Sequence, residues 1–328
     1  MIQICQFGAG RIGKVHAANI AVHPDARLRY VVDVDGEAAS ALARAHGADV
    51  TGPESALADP DITAVVIASS TDTHADLIEA SARAGKAIFC EKPIHLDIGR
   101  VDACLSVLRE CEVSMFVGFN RRFDPSFAAL QDAVRNGRIG KVEMVSITSR
   151  DPAPPPIDYI RVSGGLFRDM MIHDFDMARW LLGEEPLEVF ATGSCLVDPA
   201  IGEVGDIDTA LVTLKTGSGA LCQISNSRRA DYGYDQRIEV LGEKGMLRAE
   251  NQLPTSVERA TSDGVMRDPP LYFFLERYAE AYRRELFSFF DALGGGKALS
   301  PNEVDGRAAQ ALAEAALASF ESGRSTRV

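Results

Sequence analysis

The chain has 328 residues, 46% of them hydrophobic and 25% charged, the profile of a globular protein with room for about two domains. A net charge of −13 argues against a nucleic-acid partner or an anionic membrane surface. No apolar run is long enough to span a bilayer, and the start, Met1-Ile-Gln-Ile-Cys-Gln-Phe7, lacks the charged region and cleavage site of a signal peptide. Cysteines at 5, 90, 104, 111, 195 and 222 show no metal-ligand spacing and read as reduced thiols of a cytoplasmic protein.

Residues 2–7 alternate weakly and run into Gly8-Ala-Gly-Arg-Ile-Gly13. Ile12, Val15, His16, Asn19 and Ile20 then recur at helix spacing. Strand, glycine turn and helix in this order are the context that a dinucleotide fingerprint requires. Gly8 suits the tight turn, Gly10 the approach of a pyrophosphate, and Gly13 the packing of helix on strand. The helix start offers free amides and positive potential to phosphates, so Arg11 and Ile12 join the glycines as candidate contacts. The next strand, 28–34, carries Asp33 about 20 residues past Gly13, where an acid meets the adenosine ribose. A carboxylate there favours NAD over NADP, whereas the Arg11 guanidinium would welcome the extra phosphate of NADP. Asp35 suits the cap of a helix at about 37–46, which leaves Asp33 for the ribose.

A strand over 63–69 ends in Ser69-Ser-Thr-Asp-Thr-His74, where a cofactor should pass. Ser69, Thr71 and His74 are candidate contacts, although His74 also fits a plain surface histidine. Thr73 reads as the N-cap of a helix running to Gly85. The run Ala87-Ile-Phe-Cys-Glu-Lys-Pro-Ile94 is a buried parallel strand that ends in a carboxylate, an ammonium and a proline. Charge at that end lies in the crevice where open α/β sheets bind ligands, which makes Glu91 and Lys92 site candidates. A solvated Glu–Lys pair is the plain alternative. A helix over 97–111 and a strand over 114–117 complete a doubly wound parallel sheet, a Rossmann domain expected over residues 1–118.

Residues 119–328 read as an α+β domain for substrate binding and oligomerisation. After a helix at 124–136, strands dominate: 142–149, 187–197, 207–215, 219–227, 236–242 and 245–250. They predict a large, mostly antiparallel open sheet with one face needing a cover, and a neighbouring subunit is the expected cover. Helices at about 271–293 and 302–322 are expected to pack back on the first domain. Residues 166–182 have a clear helical period that places Asp169, His173 and Asp176 on one face. A carboxylate one turn from an imidazole holds its tautomer and raises its basicity, which suits a proton acceptor near neutral pH. The same spacing fits an ordinary polar helix face. A metal reading is weaker, since no cysteine or second histidine completes a site, and no metal is expected.

Three signals stand in order: Gly8-Ala-Gly-Arg-Ile-Gly13, Glu91-Lys-Pro93 and Gly164-Gly…Asp169-Met-Met-Ile-His173. Together they resemble the glucose–fructose oxidoreductase/inositol dehydrogenase/rhizopine-catabolism family. Val117-Gly-Phe-Asn-Arg-Arg-Phe-Asp124 and Tyr232-Gly-Tyr-Asp-Gln-Arg-Ile-Glu-Val240 bring the chain nearest to its bacterial inositol dehydrogenase branch. The resemblance implies NAD as cofactor and a cyclic polyol or sugar as substrate, with myo-inositol oxidised to its 2-keto form. Lys92, Asp169 and His173 match the family's catalytic set, and Asp33 its ribose acid. Arg121, Asp151, Asp176 and Tyr234 are the implied substrate contacts. One departure concerns Ser149-Arg-Asp-Pro152, where inositol dehydrogenases often carry a His-Arg-Asn-Pro segment. That leaves scyllo-inositol or another cyclic sugar open as substrate. The resemblance also implies a homotetramer. A non-catalytic dinucleotide-sensing regulator is the reading from another class, and the intact lysine, aspartate and histidine argue against it.

Overall fold

The computed structural model describes residues 1–328. The elements begin β1 (Ile2–Phe7), α1 (Arg11–Val22), β2 (Ala26–Val32), α2 (Gly36–His46), β3 (Asp49–Val50) and α3 (Pro53–Ala58). They continue with β4 (Ala64–Ile67), α4 (Thr71–Arg83), β5 (Ala87–Glu91), α5 (Ile98–Glu110), β6 (Met115–Gly118) and a 3-10 turn, Asn120–Phe123. Next come α6 (Pro125–Arg135), β7 (Val142–Arg150), α7 (Ile157–Ser163), α8 (Gly165–Asp169), α9 (Ile172–Leu182), β8 (Pro186–Ser194) and α10 (Pro199–Glu203). The remainder is β9 (Thr209–Thr216), β10 (Leu221–Ser227), β11 (Asp235–Gly242), β12 (Gly245–Ala249), β13 (Glu258–Thr261), β14 (Gly264–Arg267), α11 (Phe274–Arg277), α12 (Ala279–Gly295), α13 (Glu303–Ser322) and β15 (Thr326–Arg327). Two compact units emerge: Met1–Phe123 with Ala281–Ala308, and Asp124–Glu280 with Ala309–Val328.

In the first unit six parallel strands lie in the order β3-β2-β1-β4-β5-β6. Every residue of β4 and β6 is buried, as helix-covered parallel strands require. The order reverses between β1 and β4, and at such a switch point the carboxyl ends of the strands splay into a crevice. Ile4, Val66, Phe89 and Phe116 share the core with Leu286, Phe289 and Phe290 of α12. Phe89 stacks on Phe116 at 5.5 Å, and both meet Phe289 edge-on. Each fully buried phenylalanine contributes about 1.5–3 kcal/mol, so these rings fix where β5, and therefore Lys92, emerges.

The second unit carries a seven-stranded mixed sheet, β12-β11-β7-β10-β9-β8-β15, in which only β10 and β7 pair in parallel. Strict alternation decides its two faces. Val145, Ile147, Ile224, Val212, Ile238 and Val240 are buried on one. On the other, Met246, Leu241, Met144 and Leu221 stand directly opposite one another across four strands, and all are exposed. The strand β15 and the hairpin β13–β14, each too short or too polar to announce itself, were not foreseen from the sequence.

One expectation changes here. The helix anticipated over 166–182 is two helices. The amides of Met170 and Met171 both donate to the Leu166 carbonyl, at 3.1 and 2.9 Å, which closes α8. A new helix then starts with Met171 accepting from Asp174 and Phe175. Both methionines are buried, so core packing overrides the simple period at this joint. Asp169 and His173 therefore stand on either side of a break and not one turn apart on a single helix.

Candidate active site

The glycine turn is built around backbone contacts that exclude side chains. Gly8 has φ +103°, and a Cβ there would lie 2.4 Å from the Ala68 carbonyl oxygen of the neighbouring loop. A Cβ on Gly13 would lie 2.2 Å from the Gly8 carbonyl oxygen, so α1 can approach β1 only with glycine. Gly10 differs: nothing stands within 4 Å of the place its Cβ would take, and no side chain caps α1. Open space over uncapped amides fits a pyrophosphate, whose charge those donors and the helix dipole favour. Beneath the turn, fully buried Gln6 donates from Nε2 to the carbonyls of both Gly8 and Gly13 at 2.8 Å. The sequence reading missed Gln6, and its only signal was a long polar side chain within an apolar strand.

Asp33, just past the end of β2, accepts from the Ala9 amide at 2.6 Å and from the Asp35 amide at 2.9 Å. Its carboxylate is thus fixed beside the glycine turn, while Asp35 caps α2 through Glu37 and Ala38. Arg11 is exposed and Ile12 half-buried at the start of α1. These residues fit the ribose and phosphates of a dinucleotide.

At the end of β4 the helix begins earlier than anticipated. Ser70 occupies the cap position, Thr71 is the first helical residue, and the Thr73 hydroxyl turns back to the Ser70 carbonyl at 2.8 Å and to Ser69 Oγ at 2.7 Å. Thr73 cannot cap forward because that hydroxyl is already committed. His74 is no surface residue: it is 1% exposed, with Nδ1 2.9 Å from the Pro93 carbonyl oxygen and Nε2 3.2 Å from that of Ser69. Burial pushes its imidazolium pKa down, opposed in part by the two carbonyls.

Glu91 and Lys92 are half-buried at the exit of β5, and the Lys92–Pro93 bond is cis. Glu91 Oε1 lies 2.7 Å from Nε2 of buried His16 on α1, so this carboxylate bonds within the domain. Arg121 is buried in the 3-10 turn after β6, and its neighbour Arg122 pairs with Asp305 at 2.9 Å.

In the second unit Asp169 ends α8. It accepts from the Tyr159 hydroxyl of α7 at 2.9 Å and lies 3.7 Å from Nη2 of Arg228. Arg228, 1% exposed, also lies 3.6 Å from Asp206, whose other oxygen accepts from the Leu166 amide at 3.0 Å. Gly165 makes that approach feasible, since a Cβ there would be 2.8 Å from Asp206. The Asp206 loop thus packs where only a glycine leaves room for it. Tyr159, Arg228 and Asp206 were not singled out in the sequence, where an Arg-Arg pair after a strand looks like surface.

His173, half-buried, opens α9. Asp176 is buried one turn on, with Arg179 Nη1 3.9 Å away. Asp151, half-buried after β7, donates its amide to the Ser227 carbonyl. Tyr234 is buried before β11, its ring edge-on to Tyr278. Ser149, at the departure from the inositol pattern, is fully buried and donates to Gln236 Oε1 at 2.9 Å, an oxygen shared with the Tyr278 hydroxyl at 3.3 Å.

A parallel sheet in this order, with a glycine turn and a ribose-type carboxylate at its switch point, defines the Rossmann domain of a dinucleotide-dependent oxidoreductase. The chain belongs to the GFO/IDH/MocA family: residues 2–119 match its oxidoreductase, NAD-binding Rossmann-fold domain, and residues 127–248 its C-terminal domain. It is 58% identical to the inositol 2-dehydrogenase of Rhizobium meliloti strain 1021, over 97% of this chain and 96% of that protein. Among solved structures it is similar to a myo-inositol dehydrogenase from Corynebacterium glutamicum, with TM-score 0.96, 47% identity and coverage of 100% and 99% of the two chains. A scyllo-inositol dehydrogenase from Lactobacillus casei, solved with bound NAD(H) and scyllo-inositol, superposes with TM-score 0.92 at 30% identity, covering 100% of this chain and 99% of that one.

Proposed function

We propose that the protein oxidises a ring secondary alcohol of a cyclic polyol, converting myo-inositol to 2-keto-myo-inositol. The observation that carries this reading is 58% identity to an inositol 2-dehydrogenase along almost the whole of both chains. When bound, NAD supplies the acceptor for the hydride that leaves the alcohol carbon. His173 removes the hydroxyl proton as general base. Asp169, itself held by Tyr159 and Arg228, orients the base. Lys92 stabilises the developing alkoxide, where a preorganised charge in a dry site is worth roughly 3–4 kcal/mol. Gly10 and the first amides of α1 hold the pyrophosphate and Asp33 the ribose, on a turn that Gly8, Gly13 and Gln6 shape. Glu91, Ser69, Thr71 and Arg11 support the cofactor side, and Arg121, Asp151, Asp176 and Tyr234 the hydroxyls of the substrate.

Ser149 favours a second reading. Its hydroxyl is committed to Gln236, so a family position that often carries histidine has no imidazole here. An epimer such as scyllo-inositol, or another cyclic sugar, is the alternative that this change leaves open. The test is to incubate pure protein with NAD and a panel of myo-inositol, scyllo-inositol and pyranoses and follow NADH. Turnover of myo-inositol with the highest kcat/KM supports the first reading, preference for scyllo-inositol supports the second, and no NADH from any polyol overturns both.

We further propose a homotetramer assembled through the outer face of the seven-stranded sheet. Met246, Leu241, Met144 and Leu221 form an exposed apolar row there, and a second copy would remove it from water. Cytoplasmic residence fits the six free thiols, four of them buried.

A further inference from the structure

The glutamate–lysine–proline turn is gripped from both ends by buried histidines. His16, on the helix that follows the glycine turn, is fully buried, and its Nε2 meets Glu91 Oε1 at 2.7 Å. Its ring packs edge-on against Phe89 at 5.0 Å and Tyr282 at 6.0 Å. Glu91 has little freedom to leave this partner, because Gly118 crowds it so closely that a Cβ there would be 2.8 Å from Oε2. His16 Nδ1 is buried with no hydrogen-bond partner. An orphaned nitrogen is unfavourable, and a phenyl ring would keep the edge contacts without it. What imidazole adds over phenyl at this position is therefore the Nε2 contact and not packing. At the other end, His74 Nδ1 lies 2.9 Å from the Pro93 carbonyl oxygen. Its Nε2 lies 3.2 Å from the Ser69 carbonyl. A neutral ring donates to one carbonyl only, and the shorter contact selects the Nδ1–H form. Neither ring has solvent-accessible surface with which to meet a substrate.

We propose that His16 and His74 are positioning residues for Lys92: one fixes the side chain before it, the other the carbonyl after it, and together they tie the reacting amine to the glycine-turn helix and to α4. This inference rests on reading Lys92 as the group that stabilises the alkoxide. It also gives His74 a role within the protein, separate from the cofactor contact expected for it.

The test compares His16→Phe, His16→Gln, His74→Leu and Glu91→Gln with the wild type in five measurements. These are kcat, KM for the polyol, NADH affinity by fluorescence, thermal midpoint, and the rate at which an amine-reactive acylating reagent labels Lys92 in the protein without cofactor, read by peptide mass spectrometry. The expected result is a kcat lower by about tenfold to a hundredfold in His16→Phe and His74→Leu, the scale of a small misplacement of a reacting group. KM and NADH affinity should stay within about threefold, and Lys92 labelling should change by at least about threefold. His16→Gln, which can present an amide nitrogen near the position of Nε2, should recover much of both. Unchanged Lys92 labelling together with unchanged kcat overturns the proposal. So does a kcat loss that follows the thermal midpoint and is not rescued by glutamine. Should His16→Phe fail to fold, Glu91→Gln probes the same contact from its other side, and wild-type labelling and kcat there overturn it equally. The underlying reading fails separately: if the wild type oxidises no polyol but the variants still alter Lys92 labelling, the positioning role stands and the polyol assignment falls.

Discussion

Gly10→Ala isolates the space above the dinucleotide turn. Gly10 has φ −71° and ψ −162°, a conformation that alanine adopts without strain, and its Cβ would touch nothing. Alanine restricts the unfolded chain, a gain of about 0.4–1 kcal/mol, while being a poorer N-cap than glycine by a similar amount. The two nearly cancel, so the thermal midpoint should stay within about 2 °C of wild type. Binding is another matter. If the pyrophosphate lies over Gly10, a methyl group there displaces it from the α1 amides. Losing one charge-assisted hydrogen bond costs about 1.5–3 kcal/mol, which raises the NADH dissociation constant roughly tenfold to a hundredfold. Fluorescence titration alongside a thermal melt reads both quantities. Gly13→Ala is the control: its Cβ would stand 2.2 Å from a backbone oxygen, so it should lose stability and affinity together. An affinity of Gly10→Ala within about twofold of wild type would refute the placement of the cofactor over this turn.

Four further outcomes follow from the same geometry. His173→Ala should lower turnover about a hundredfold or more, and Lys92→Ala should lose turnover while still binding NADH; for either variant, wild-type turnover removes the residue from its role. Arg228→Met leaves Asp169 and Asp206 without their buried counter-charge and should destabilise the fold by about 3 kcal/mol in chemical denaturation; an unchanged midpoint contradicts the pairing. Burial works against the charge on Asp208, but amides of Leu196, Val197 and Asp198 and the Thr209 hydroxyl outweigh it and hold its pKa below the usual carboxylate range. The unfolded chain therefore binds the proton more readily: stability is full above about pH 4 and is lost as pH falls through the lower folded-state value. Asp208→Asn should be less stable at pH 7 with a flatter acid limb, and an unaltered acid limb would show that Asp208 does not carry it.

Those parts of the protein that obey local rules can be read from the order of its residues. Helix starts at Asp35, Asp97 and Asp124 follow from side chains that reach their own next turn, and all three carboxylates accept from those amides. The glycine turn, Asp33 and the charged end of β5 were legible because backbone chemistry demands particular residues at fixed short distances. Alternation in 142–249 displayed the second sheet for the same reason. Contacts between segments far apart in the chain cannot be read that way. Nothing near His16 in sequence says that it meets Glu91, nothing near Arg228 that it stands between Asp169 and Asp206, and nothing near His74 that it is buried against Pro93. The break at Met170–Met171 belongs to the same class: the period of 166–182 is helical throughout, and the burial of two methionines interrupts it. Periodicity reports which face of an element turns inward; which partner waits there depends on packing, and packing is settled only once all the elements are in place.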